Sequence, residues 1–153
     1  MLFSFTRFFT FSLLAAGALA ETHKVTFENK CGKGTPQLQQ KNKTVSSTST
    51  YTANSTFESA TAFLQTGECG GNGQNCTLIE TNLKNSGNSS TNITLVPPQK
   101  FNVPAAFRYE GGCNGTGLNC TSANCTEAIH NRTVSVKPSS CNASNVNLII
   151  TFC

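Results

Sequence analysis

The chain has 153 residues, a net charge of +4 and only 12% charged side chains, and its seven acidic residues are all Glu. That length supports one domain, and so dilute a positive charge excludes a nucleic-acid partner. With no Asp and only His23 and His130, the eight Cys lack co-ligands for a metal centre, so neither metal nor cofactor is expected.

Residues 1–20 read as a secretory leader. Arg7 supplies the one charge, an apolar run extends from Phe8 to Leu19, and Ala18-Leu19-Ala20 forms a small-residue cleavage site. Ser4, Thr6, Thr10 and Ser12 interrupt the run, which is too short to span a bilayer. The mature domain is then 21–153, with no membrane segment after cleavage. In an exported chain an even number of Cys reads as four disulfides, which offset a core with few aromatic residues.

The first strand is expected from Lys24 to Cys31, with Val25, Phe27, Asn29 and Cys31 on one face. Lys33 to Tyr51 is polar and reads as a loop or poorly patterned strands. Phe57 to Thr66 is compatible with helix or strand. Gly67 to Cys76 is a glycine loop whose two Cys, Cys69 and Cys76, are close enough to bridge locally. It lacks the Gly-Lys-Ser/Thr ending of a phosphate loop. Strands follow at Thr77 to Leu83 and Asn92 to Val96, separated by a turn at Asn85 to Ser90. Phe101 to Tyr109 has the cleanest alternation, with Pro104 directing it to an edge or a bulge. Gly111 to Gly117 is a turn, Ser122 to Ile129 is long enough for one helical turn, and Arg132 to Lys137 is a short strand. The last strand, Asn145 to Cys153, places Val146, Leu148, Ile150 and Phe152 on one face. Its terminal Cys153 is expected to pair with Cys31, which lays the two terminal strands side by side. Many short strands with Gly/Asn turns and little helix predict an all-β sandwich.

Seventeen Asn and thirty-two Ser/Thr follow the leader. Random placement gives about four Asn-x-Ser/Thr sequons. Ten are present, at Asn42, Asn54, Asn75, Asn88, Asn92, Asn114, Asn119, Asn124, Asn131 and Asn142. The excess points to N-glycosylation. Asn75, Asn119 and Asn124 have Cys in the middle position, where bridge formation competes with the transferase.

Several segments resemble thaumatin-like proteins. Val25-Thr26-Phe27-Glu28-Asn29-Lys30-Cys31 and Leu148 to Cys153 are similar to that family's first and last strands, whose cysteines pair. Gln65-Thr66-Gly67-Glu68-Cys69-Gly70-Gly71 resembles its T-G-D-C-G-G turn, with Cys76 as the partner. Leu78-Ile79-Glu80-Thr81-Asn82-Leu83 and Thr91-Asn92-Ile93-Thr94-Leu95-Val96 resemble two of its strands. The match is nearest to the short fungal secreted glycopeptides of the superfamily. The resemblance implies a thaumatin-like β-sandwich reduced to a single domain, with Cys120 bridged to Cys125 where longer members carry a second domain, and Cys113 bridged to Cys141. It also implies a cleft for β-1,3-glucan, of which Glu80 keeps the Glu. Asn92 and Pro97 stand where Asp residues are expected, so Glu80 and Asn92 are the candidate binding residues.

Glycoside hydrolysis ordinarily requires two facing carboxyl groups. The acids Glu21, Glu28, Glu58, Glu68, Glu80, Glu110 and Glu127 show no pairing in the sequence. His130 has no Asp to orient it, and an even Cys count leaves no free thiol. The expectation is a non-enzymatic, monomeric protein of the extracellular space or cell wall, with β-glucan or an extracellular protein as partner. The alternatives are an effector-like protein acting on a host or competitor protein, and a residual β-1,3-glucanase or antifungal activity.

Overall fold

The computed structural model describes residues 20–133 and 137–153. The expected leader lies almost wholly outside them, as does the middle of the strand expected at Arg132 to Lys137. Twelve strands and no helix form among the described residues: β1 (His23–Asn29), β2 (Thr35–Gln40), β3 (Lys43–Ser46), β4 (Thr50–Ala53), β5 (Phe57–Gln65), β6 (Leu78–Leu83), β7 (Ser89–Thr94), β8 (Ala105–Glu110), β9 (Gly117–Cys120), β10 (Ala128–Ile129), β11 (Ser139–Cys141) and β12 (Asn147–Phe152). They make two sheets. The first runs β4-β1-β12-β8-β9 and the second β10-β7-β6-β5-β2-β3, with β11 also on β7.

The terminal strands lie side by side in the middle of the first sheet. β1 and β12 pair in parallel, Val25 opposite Leu148 and Phe27 opposite Ile150. Alternation decides which side chains enter the core: Val25, Leu148, Ile150 and Phe152 are fully buried between the sheets, facing Leu38, Phe57, Ala62, Leu64, Ile79 and Ile93 of the second sheet. Burying each large apolar side chain stabilises by about 1.5–3 kcal/mol. Past the strand ends, Cys31 and Cys153 are bridged, Lys30 N–H donates to Phe152 O at 2.8 Å, and Cys153 N–H donates to Pro104 O at 3.0 Å. The other bridges are Cys69–Cys76, Cys113–Cys141 and Cys120–Cys125, the pairs expected from the loop and the resemblance.

β9 and β11 form where no strand is expected, β7 begins at Ser89 inside the expected turn and ends at Thr94, and two further segments differ from expectation. The strand expected from Phe101 begins only at Ala105. Burial alternation does run back to Val103, but Pro104 has no N–H for a ladder and the Val103 carbonyl accepts the Thr77 hydroxyl at 2.9 Å. Beginning after its proline, β8 sits inside the sheet and not at an edge. Ser122 to Ile129 forms no helical turn. The Cys120–Cys125 bridge closes a turn there, with Cys125 N–H donating to Ser122 O, and Ala128–Ile129 then pairs with β7 in parallel.

A polar chain crosses the core. Thr81 and Thr91 face each other on β6 and β7 with their hydroxyls 2.7 Å apart, and the Tyr109 hydroxyl lies 3.1 Å from Thr91 Oγ1 and 2.9 Å from Ser139 O. Ser139 O only accepts, so the single Tyr109 proton goes there, and the Thr91 hydroxyl donates to Tyr109. This fastens β11 to the first sheet across the sandwich.

Two carboxylates clasp the ends of the first sheet. Glu28 accepts from Arg108 Nη2–H at 2.9 Å and from the Thr151 hydroxyl at 3.0 Å; the Arg108 bond, then the Thr151 bond, holds its carboxyl below the ordinary value of 4.5. Glu21 lies 3.0 Å from the buried His23 ring and accepts from Asn85 N–H and the Thr56 hydroxyl. The His23 bond is the main cause of its lowered pKa. A carboxyl whose folded pKa lies below its unfolded one contributes stability above the unfolded value and loses it as pH falls through the folded value. The urea midpoint is therefore expected to hold at neutral pH and to fall below about pH 4.5. Glu21→Gln and Glu28→Gln should each lower the neutral midpoint and shrink the acid drop; an acid drop unchanged in both variants would contradict this.

Candidate functional site

The outer face of the second sheet carries a polar row that crosses five strands. Ladder pairing sets Thr44 opposite Gln39, Gln39 opposite Thr61, Thr61 opposite Glu80, and Glu80 opposite Asn92. Each residue points outward because its chain neighbours, such as Leu38, Ala62, Ile79 and Ile93, point inward. One flank of the row is walled by the glycine loop, which folds down over the outward-facing Phe63 and Leu78 and buries them with Cys76. Gly73 makes that approach possible. Its φ is +75°, and a Cβ there would stand 2.6 Å from Leu78 Cδ1. Gln39 Nε2–H donates to Gly71 O at 2.7 Å and ties loop to sheet. On the other flank β5 bulges between Phe57 and Ala60. Ser59 takes φ 54° there, with its N–H donating to Asn82 Oδ1 at 2.8 Å.

Between these flanks lies a groove of about 310 Å³ lined by Ser59, Thr61, Glu80, Asn82 and Asn92 among others. Glu80 and Asn92 are both half-buried, and Asn92 Nδ2–H donates to Glu80 Oε2 at 3.0 Å. The two residues singled out in the sequence thus stand together. Among the described residues no second carboxyl lines this groove. Glu58 of β5 is held by Lys84 at 3.0 Å, Glu28 by Arg108, and Glu21 by His23, while Glu110 belongs to the opposite sheet. Pro97 is exposed beyond the end of β7. His130 is exposed, with Nε2 2.7 Å from the Cys125 carbonyl, and among the described residues no His/Cys/Asp/Glu group is arranged to hold a metal ion. An isolated carboxylate beside an amide can exchange hydrogen bonds with sugar hydroxyls or peptide groups. It cannot serve as acid and base together.

Sequence reasoning missed two concavities. One is a trough on the outer face of the first sheet, about 370 Å³, with Ala106, Asn119, Thr121, Thr151 and Cys153 in its lining and no charged side chain among the described residues. It depends on β9, whose Gly117-Leu118-Asn119-Cys120 has no readable alternation. The other, about 450 Å³, is lined by Glu68, Asn75, Lys100, Phe101 and Asn102 beside the glycine loop; Glu68 stands more than thirty residues from Lys100 and Phe101 in the sequence, so no local pattern joined them.

Nine of the ten sequon Asn are exposed, and Asn92 is half-buried. No helix among the described residues is long and apolar enough to cross a membrane.

No protein-family model matches the chain, and no curated protein does. Among solved structures it is similar to the thaumatin-like xylanase inhibitor, with a TM-score of 0.55 and 21% identity over 86% of this chain and 98% of that one. The likeness carries the fold, a thaumatin-like all-β sandwich with four disulfides.

Proposed function

We propose that this is a secreted, N-glycosylated, disulfide-stapled protein of the extracellular space or cell wall that binds without catalysing, and that the groove at Glu80 and Asn92 contacts β-glucan. The observation that carries the reading is the isolation of Glu80. Its carboxylate is engaged by a neutral amide, and among the described residues no second acid lines the groove. Four disulfides suit an oxidising compartment. Among the described residues no aromatic side chain lines the groove as a stacking platform for a sugar ring, so retention on β-glucan should be modest. A polysaccharide array probed with the glycosylated protein tests the ligand: weak, saturable signal on β-1,3-glucan supports the reading, and signal only on unrelated polymers rejects it.

A second reading has its own observation. The similar solved structure is that of a xylanase inhibitor, a protein that acts on an enzyme. On this reading the partner is an extracellular protein, and the immobilised chain should capture one specific protein from extracellular extract while failing to bind β-glucan.

Glycosylation is tested separately. The secreted protein should run well above the mass of its bare mature chain and collapse towards it on endoglycosidase treatment. Unchanged mobility would return the sequons to accident.

A further inference from the structure

Among the described residues both sheets end in strands with no further strand paired on their outer side. In the first sheet these are β4 and β9; in the second they are β3 on one side and the short β10 and β11 on the other. Such edges are templates for pairing with another chain, and proteins commonly blunt them with Lys, Pro or bulges. Here only β3 carries such a defence, with Lys43 and a bulge in its pairing to β2. Thr50-Tyr51-Thr52-Ala53, Gly117-Leu118-Asn119-Cys120, Ala128-Ile129 and Ser139-Ser140-Cys141 contain neither a charge nor a proline, and Lys43 of β3 is the one charged residue on any edge strand.

Sequons take that place. Asn42 immediately precedes β3, Asn54 immediately follows β4, Asn119 lies within β9, Asn131 follows β10, and Asn142 immediately follows β11. All five are exposed. Asn92 marks the one position of β7 between its pairing to β11, which ends at Thr91, and its pairing to β10, which starts at Ile93. The interior strands β1, β6 and β12 hold Asn29, Asn82 and Asn147, and none of these begins a sequon. Their side chains serve the fold: Asn29 donates to Lys33 O, Asn82 accepts from Ser59 N–H, and Asn147 accepts from Lys24 N–H. Asn29, Asn82 and Asn147 are thus bonded to backbone inside the sheets, while five of the ten sequon Asn border or lie in edge strands and Asn92 lies in the interior strand β7.

We propose that N-glycans at Asn42, Asn54, Asn119 and Asn142, with that at Asn131, shield the open edges of both sheets and keep this weakly charged chain from self-association. The proposal rests on the glycosylation reading above. In each attachment one amide N–H is replaced by an N–C bond to the first sugar, the proton is released, and the lipid pyrophosphate of the secretory donor leaves. A bulky, hydrated glycan beside an edge strand then occupies the space a second strand would need.

The test uses full-length chains secreted from a glycosylating host. Intact mass and glycopeptide mapping come first: a wild type bare at every sequon overturns both the glycosylation reading and this proposal, and one glycosylated only at other sequons overturns this proposal alone. With glycan present, Asn42→Gln/Asn54→Gln/Asn119→Gln/Asn142→Gln is compared by light scattering with Asn75→Gly, which removes a sequon from the glycine loop away from any edge. The edge variant should lose most of its monomer on concentration, while Asn75→Gly stays as the wild type. Placing Lys at the same four Asn positions should restore the monomer, since charge replaces glycan as the edge defence. A monomeric glutamine variant overturns the proposal and leaves the glycosylation reading intact. Self-association of both the glutamine and lysine variants also overturns it, by assigning the effect to the lost Asn side chains.

Discussion

Replacing both Cys31 and Cys153 with Ser is expected to lower the unfolding free energy by about 5 kcal/mol. The two residues are 122 apart in sequence, so their bridge closes nearly the whole described chain into one loop. In the chain-entropy account, the longer the loop, the more disorder the bridge removes from the unfolded ensemble. The native state holds the same two strands together by ladder pairing, so the folded geometry should survive while the reference state gains freedom. A domain of this size has only about 5–15 kcal/mol in total, so the variant should be close to unfolding at physiological temperature. Urea unfolding of wild type and variant measures the difference. The Cys69–Cys76 bridge, separated by only 7 residues, serves as the contrast, and its removal should cost less. Equal losses from both removals would contradict the closure argument.

Gly117→Ala should be the most damaging single change on the first sheet. Gly117 pairs with Arg108, and a Cβ built there would stand 1.8 Å from the Phe107 carbonyl oxygen and 2.9 Å from Arg108 Cα. Those are backbone atoms, so no side-chain rotamer relieves the contact. Relief requires β9 to move off β8, which breaks their ladder and disturbs Cys120 and its bridge. The expected cost is about 3 kcal/mol or more. Gly115→Ala is the control, with φ +79° but no atom within 4 Å of its added Cβ; its cost is backbone strain alone, about 1 kcal/mol. Thermal unfolding of the pair decides, and a Gly117 variant no worse than the Gly115 variant would contradict the packing argument.

The parts of the fold that could be read from sequence are those with one buried face. In β1 every outward residue is polar, and in β12 Ile149 is the one apolar residue on the outward face, so alternation and terminal Cys together placed the two strands beside each other. β5 resisted reading for two physical reasons. The bulge at Ser59 lets Phe57 and Ala60, three apart, both face inward, a spacing that mimics a helix. Phe63 then faces outward yet is buried by the glycine loop, which erases the alternation at the far end. β2 has Leu38 as its one buried apolar residue, and its Gln39 is buried by a loop more than thirty residues away, so the second sheet's far edge read as a loop or poorly patterned strands. At the candidate site, Glu80 and Asn92 came from resemblance alone. What no local pattern carried was the ladder that aligns them with Thr61, Gln39 and Thr44, because register across five strands is a tertiary property.

Absence of a catalytic pair around Glu80 is the centre of the functional account. The most direct test incubates the glycosylated wild type and Glu80→Gln with insoluble β-1,3-glucan and measures retained protein and released reducing sugar in the same samples. The account predicts no sugar release above a mock preparation from either chain, with retention altered modestly by Glu80→Gln. Release by the wild type that disappears in Glu80→Gln would contradict it, and would mean that another acid reaches the groove to complete a hydrolytic pair.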